Sequence, residues 1–183
     1  VRIISGIWKG RRLISPQSMD VRPTSDKVKE AVFNIIRTRI EGSRALDLFA
    51  GTGSLGLEIL SRGGNKVVFV ENNPHVFRAL KMNCGNLASS EQYEIIPKDS
   101  FEAIKMLSLR DESFDLVFVD PPYKSDLQSK SLIEIACANL LVRQGIVVVE
   151  HDSIDIQPDI VQDMVKIYER RHGNTCVTLY KRG

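Results

Sequence analysis

The 183-residue chain holds one tryptophan, three histidines and three cysteines, and each scarcity removes a class of reading. Cys84, Cys137 and Cys176 are odd in number and far apart, so they form neither a disulfide framework nor a zinc pattern. They point to a reducing compartment, with all three expected as small core residues. His75, His151 and His172 are scattered, and no His-Asp or Lys-Tyr pair is placed for hydride chemistry. No metal centre is expected. No apolar run approaches the roughly 20 residues of a membrane helix. No signal-peptide h-region follows Val1, so a cytoplasmic location is expected. Internal repeats, low-complexity tracts and linkers are also lacking. One domain over residues 1–183 is therefore expected, with a basic arm at 1–23 and a body at 24–183.

The charge that is present is unevenly placed. Residues 1–44 carry ten Lys/Arg against four Asp/Glu, whereas the other 139 carry fifteen against nineteen. A basic segment on a mildly acidic body suggests a polyanion partner. Residues 1–15 read as two short strands around Gly6 to Gly10, with Arg2, Lys9, Arg11 and Arg12 about the single Trp8. Aromatic and cationic side chains together can stack on bases and pair with phosphates. The same tryptophan can instead pack the arm onto the body. A short, glycine-containing arm of this kind is expected to be mobile in the absence of RNA.

The chain is organised around Asp47-Leu48-Phe49-Ala50-Gly51-Thr52-Gly53-Ser54-Leu55-Gly56-Leu57-Glu58. An apolar strand enters this turn and a helix leaves it. Glycines there let the backbone approach a ligand closely. Gly51, Gly53 and Gly56 spell a dinucleotide fingerprint, and Glu71 lies at the spacing of a ribose-binding carboxylate. S-adenosylmethionine also carries a ribose, so Glu71 fits either ligand. Asp47 separates the two, because a carboxylate repels a pyrophosphate and attracts the ammonium of a methionine moiety.

A helix is predicted from an N-cap at Thr24 to Ile40, with Gly42 ending it. Strands are then predicted at 45–49, 67–71, 93–96, 114–119 and 145–150. Helices are predicted at 54–62, 74–87, 100–109 and 126–140. This alternation predicts a parallel sheet covered on both faces. Asp47, Glu71, Asp99, Asp120 and Glu150 fall at its strand ends, where ligands bind. A short helix is expected from Pro158 to Val165. Two antiparallel strands then follow, joined at His172-Gly173-Asn174. A parallel sheet that closes on such a hairpin is characteristic of methyltransferases rather than of dehydrogenases.

Asp120-Pro121-Pro122-Tyr123 follows the fourth predicted strand. An exocyclic amino group on a base is a poor nucleophile, because its lone pair is delocalised into the ring. Asp120 and the Pro121 carbonyl can accept its two protons' hydrogen bonds. Tyr123 can stack on a base that has left its helix.

Taken together, these motifs resemble a class I methyltransferase of the amino-group type, and more closely the RsmD family, which methylates guanine N2 in 16S ribosomal RNA. The match rests on residues 2–6 and 8–11, Arg22-Pro23-Thr24-Ser25-Asp26-Lys27-Val28-Lys29-Glu30, the glycine turn Asp47 to Gly53, Glu71, and Asp115 to Tyr123. Ser5 stands where glycine is commoner in the family. The resemblance implies a Rossmann-like α/β fold: a seven-stranded, mostly parallel sheet with a C-terminal antiparallel hairpin, helices on both faces, and a short N-terminal β-hairpin arm. It implies that Asp47, Gly51 and Gly53 line the methionine end of S-adenosylmethionine. Glu71 and Asn72 would meet the ribose, and Asp99, Ser100 and Phe101 the adenine. Asp120, Pro121, Pro122 and Tyr123 would hold the target guanine. Arg2, Trp8, Lys9, Arg11, Arg12, Arg22 and Thr24 would face RNA. The implied partner is 16S rRNA within the assembled 30S subunit, with the enzyme a monomer and no membrane involved. The alternatives are an adenine-N6 DNA methyltransferase, which shares D-P-P-Y, an NAD-dependent oxidoreductase, and an RNA-binding protein with a decayed site.

Overall fold

Five apolar strands alternating with helices build the body of the computed structural model, which describes residues 1–16, 26–122 and 126–183. Helix α1 (Asp26–Ile35) precedes β1 (Arg44–Asp47), α2 (Ser54–Ser61), β2 (Lys66–Val70), α3 (Pro74–Leu87) and β3 (Tyr93–Ile96). Next come α4 (Ser100–Leu109), β4 (Phe114–Val119), α5 (Leu127–Cys137) and β5 (Leu141–Asp152). The chain closes with β6 (Ile160–Val161), β7 (Met164–His172) and β8 (Thr175–Arg182). One sheet results, in the order β3-β2-β1-β4-β5-β8-β7-β6. The first five strands pair in parallel, and β8, β7 and β6 add on antiparallel.

Alternation along each strand splits the core between the two faces. Ala45, Val67, Phe69, Leu116, Phe118 and Val148 meet α1, α2 and α3 on one side. Leu46, Val68, Val117, Val119, Val147 and Val149 meet α4 and α5 on the other. On the first side Phe33 of α1 stacks on Phe118, ring centroids 6.0 Å apart. Strands buried on both faces explain why their sequences are continuously apolar.

The differences from expectation are local. The sheet has eight strands, not seven, because the segment predicted as a helix over 158–165 forms β6 and the start of β7. There Ile160 pairs with Val165, and the Pro158 carbonyl accepts the Tyr180 hydroxyl at 2.6 Å. A β-branched pair beside a proline fits this tight ladder better than one helical turn. α1 stops at Ile35 and tightens into a 3₁₀ turn over 37–39, where Arg39 N–H bonds the Ile36 carbonyl. β5 runs on to Asp152 because β8 pairs with it that far, so Glu150 lies inside the strand rather than past its end. Cys84 and Cys176 are buried, but Cys137, the last residue of α5, is exposed. Among the described residues no helix is long and apolar enough to cross a membrane.

Candidate active site

The turn after β1 owes its shape to its glycines and two carboxylates. Gly51 and Gly53 have φ of +55° and +86°, which side chains rarely adopt. A Cβ on Gly56 would stand 2.2 Å from the Phe69 ring, so this glycine lets α2 lie close on β2. A Cβ on Gly51 would meet nothing within 4 Å, so that side of the turn is open. Asp47 is buried at the end of β1, and its Oδ2 accepts from Gly56 N–H at 3.0 Å. Burial pushes its pKa up to about 7, Gly56 N–H works against the rise, and the Glu71 charge adds to it. Glu71, just past β2, accepts from Gly51 N–H at 3.0 Å and Asn73 N–H at 2.7 Å. Burial raises its pKa as well. Two carboxylates thus converge under an open, glycine-lined turn, a donor set that suits a cationic ligand bearing hydroxyls.

The other predicted residues line the same edge of the sheet. Asn72 is exposed beside Glu71. Asp99 caps α4 by accepting from Phe101 N–H at 2.8 Å, with Ser100 buried and Phe101 partly buried. Asp120 directly follows β4, partly exposed, with Pro121 buried and Pro122 exposed. Since β1 and β4 pair with Asp47 opposite Phe118, Asp120 lies on the neighbouring strand end, two residues further on. That is roughly 8 Å of backbone separation by strand geometry. Tyr123, Arg22 and Thr24 lie outside the described residues.

The N-terminal arm is fixed to the body rather than loose, and its two strands reduce to a single bridge between Arg2 and Arg12. Its anchors are residues to which sequence reasoning assigned no role, although Lys29 and Glu58 lie within the motif stretches. Glu58, fully buried on α2, accepts from Ile4 N–H and Ser5 N–H at 2.9 Å each. The same carboxylate pairs with Lys29 at 3.4 Å and Arg62 at 2.8 Å. Lys29, also fully buried, donates to the Arg2 carbonyl at 3.1 Å and to Ser54 Oγ at 2.8 Å. Burial lowers the Lys29 pKa, and Glu58 acts against that. Asn83 of α3 ties Ile14 to the Thr52 carbonyl of the glycine turn. A glutamate among Leu57, Ile59 and Leu60 was the one signal available.

These anchors orient the arm along α2. Its bridge, Arg2 to Arg12, lies at the Ser54 end, beside the glycine turn. The Gly6–Gly10 turn lies at the Ser61 end, where Trp8 N–H bonds Ser61 Oγ at 3.0 Å and the indole packs partly buried on the core. Lys9 is exposed there. Two basic hollows open near the bridge. One of about 380 Å³ is lined by Val1, Arg2, Arg12 and Asp26. The other, of about 330 Å³, lies between Arg11, Arg12, Ile14 and α3. Arg2 pairs with Asp26 at 2.9 Å.

Of the histidines, His75 is exposed and His151 is buried, its Nε2 2.9 Å from Thr178 Oγ1 and its Nδ1 2.9 Å from the Asp152 carbonyl. His151, Glu169 and Cys176 present ligand atoms within 4.8 Å of one another, but both ring nitrogens already have partners.

The family model described as conserved hypothetical protein 95 matches residues 1–181. The chain belongs to this family. A relative from Haemophilus influenzae named ribosomal RNA small subunit methyltransferase D is 42% identical, covering 99% of this chain and 93% of its own length. The Escherichia coli K12 protein of the same name is 30% identical over all of this chain and 90% of its own. Among solved structures, the Escherichia coli protein yhhF superposes with a TM-score of 0.86 at 28% identity, covering 100% and 97% of the two chains. A hypothetical protein from Thermus thermophilus does so with 0.84 at 28% identity, covering 98% of each. The family is the one the motifs resemble, and this member of it is a methyltransferase with a Rossmann-like fold.

Proposed function

We propose that this member of the family transfers a methyl group from S-adenosylmethionine to the exocyclic N2 of a guanine in 16S rRNA, acting as a monomer on the 30S subunit in the cytoplasm. The observation that carries the reading is the neighbouring position of two strand ends. The Asp47–Gly56 turn closes β1, and Asp120-Pro121 closes β4 beside it. When bound, S-adenosylmethionine supplies an electrophilic methyl.

The chain's own residues do the rest. Asp47 and Glu71, both desolvated by burial, favour a cationic partner. Glu71 orients toward ribose hydroxyls, and Asp99, Ser100 and Phe101 border the adenine. On the acceptor side, Asp120 and the Pro121 carbonyl accept hydrogen bonds from the guanine amino group and hold its nitrogen towards tetrahedral geometry. Proline has no N–H to compete for the base. Asp120 need not be a strong base, because an acceptor aimed at the nitrogen as positive charge develops is sufficient. Tyr123 stacks on the extruded base. Arg2, Arg11 and Arg12, at the end of the arm beside the glycine turn, contact RNA phosphates, and Arg22 and Thr24 are proposed to share that role. Trp8 and Lys9 sit further away, and Trp8 serves chiefly to seat the arm.

The relatives' names support an rRNA acceptor. The test is transfer of labelled methyl to unmethylated 30S subunits, with naked 16S rRNA and duplex DNA in parallel, followed by nucleoside analysis. N2-methylguanosine from 30S subunits is expected. N6-methyladenine in DNA would keep the amino-methyltransferase chemistry and overturn the acceptor.

A further inference from the structure

We propose that the tip of the β7–β8 hairpin, through Arg170 and Arg171, is a second RNA-phosphate contact, on the side of the acceptor loop opposite the N-terminal arm; this rests on the rRNA reading above.

The charge along the chain has three zones. Residues 1–44 are basic, residues 45–163 carry ten Lys/Arg against eighteen Asp/Glu, and residues 164–183 return to five against one. Two cations of the last zone have acidic partners: Lys166 pairs with Asp159 and Glu169, and Arg182 with Asp163. Arg170 and Arg171 are exposed, and neither forms an ion pair among the described residues. Arg171 Nε donates to the Gly173 carbonyl at 2.7 Å, which holds its guanidinium at the tip.

The sheet register sets where that tip lies. Val119 of β4 pairs with Val149, so Asp120 stands level with Glu150. Glu150 pairs with Val177, and Val177 with Arg170. Asp120 and Arg170 are therefore level, three strand spacings or roughly 14 Å apart. Because successive side chains alternate, Arg170 shares the face of Val177, the α1 face, and Arg171 points to the other. The tip thus presents positive charge on both faces at the ligand end of the sheet. The arm's Arg2–Arg12 end is tied through Lys29 to Ser54 at the start of α2, the helix that packs on β1 and β2, on the β3 side of β4. A strand whose flipped guanine sits at Asp120 would have its backbone met by cations on both flanks, while the acidic middle repels RNA held elsewhere.

The test uses the full chain with Arg170→Ala/Arg171→Ala, and Arg170→Lys/Arg171→Lys as the charge-retaining control. Unchanged melting temperature and S-adenosylmethionine affinity establish that the fold is intact. The probe is 30S subunits lacking the methyl group, with KM and kcat measured across a salt series. The alanine pair should raise KM about five- to tenfold, leave kcat unchanged, and make the salt dependence shallower by about 1.5 in log–log slope, as two lost phosphate contacts require. The lysine pair should restore most of both. If the wild type methylates 30S subunits and the alanine pair matches it in KM and slope, the contact is overturned and the rRNA reading stands; the arginines then only guard an exposed strand edge. If the wild type transfers nothing to rRNA, the reading fails and the contact with it.

Discussion

Two basic hairpin-like segments flank the ligand end of this sheet, and they are held by different means. The N-terminal arm has a short ladder of its own, with a bridge between Arg2 and Arg12 and backbone bonds from Ile3 to Arg11, Gly10 to Ile3 and Leu13 to Val1. It is docked on the body mainly by side chains of other elements: Glu58, Lys29, Ser61 and Asn83. The β7–β8 hairpin is held by its own backbone ladder, from Met164–Arg182 to His172–Thr175. Each turns on a glycine with positive φ, Gly6 at +82° and Gly173 at +67°. A Cβ on Gly6 would stand 1.8 Å from the Ser61 carbonyl, whereas one on Gly173 meets nothing within 4 Å. The first glycine serves docking and the second serves only a turn. The arm's docking therefore depends largely on distant side chains, whereas the hairpin is nearly autonomous.

The largest expected effect follows from the buried charges. Glu58→Ala leaves Lys29 unpaired in the interior and should destabilise the protein by about 3–5 kcal/mol, as for a broken buried pair. Hydrogen exchange at Ile4 and Ser5 should rise to the solvent rate while the hairpin amides stay protected. Equal loosening of both segments would break the comparison. Gly6→Ala comes next, because it adds a backbone clash to an unfavourable φ. Denaturant unfolding should show a loss clearly larger than that of Gly173→Ala.

Ionisation gives a third distinction. Asp47 keeps its proton to about pH 7 when folded, whereas its ordinary value is 3.8. Between these values the unfolded chain releases a proton that the folded chain keeps, so Asp47 makes stability fall as pH rises from about 4 to about 7. Above that the loss is complete and constant. Asp47→Asn keeps an acceptor for Gly56 N–H and should melt higher than wild type at pH 8 and alike at pH 4, while binding S-adenosylmethionine more weakly. A melting temperature unchanged at pH 8 would mean that Asp47 ionises freely. Gly173→Ala is the smallest effect, about 1–2 kcal/mol from its φ alone, and should leave methyl transfer intact.

The same contrast explains what could be read in advance. The hairpin was legible because its signals are local: alternating residues, then Gly173-Asn174. So were β1 to β4 and their helices, whose apolar periods decide both type and boundary. The grouping of Asp47, Glu71, Asp99 and Asp120 along one edge of the sheet followed, since each is placed by a strand end. The fixed arm was not legible, because Ile4 and Glu58 are joined only by tertiary folding, 54 residues apart. Nor was β6, where Ile160 and Val161 choose a strand only because β7 offers one to pair with. Cys137 was misread as core because α5 turns its last residue outward. Asp47 was read as a carboxylate for an ammonium, and its burial and its bond to Gly56 became visible only once α2 was packed on β2.

The central claim is a division of labour between two strand ends, with the Asp47 turn serving the cofactor and the Asp120 loop serving the acceptor. Asp120→Ala tests it directly, with methyl transfer to 30S subunits and S-adenosylmethionine affinity measured on the same preparation. The division predicts that transfer falls by about 10²–10³ while affinity is unchanged. Transfer at the wild-type rate, or a loss explained by weakened cofactor binding, would contradict it.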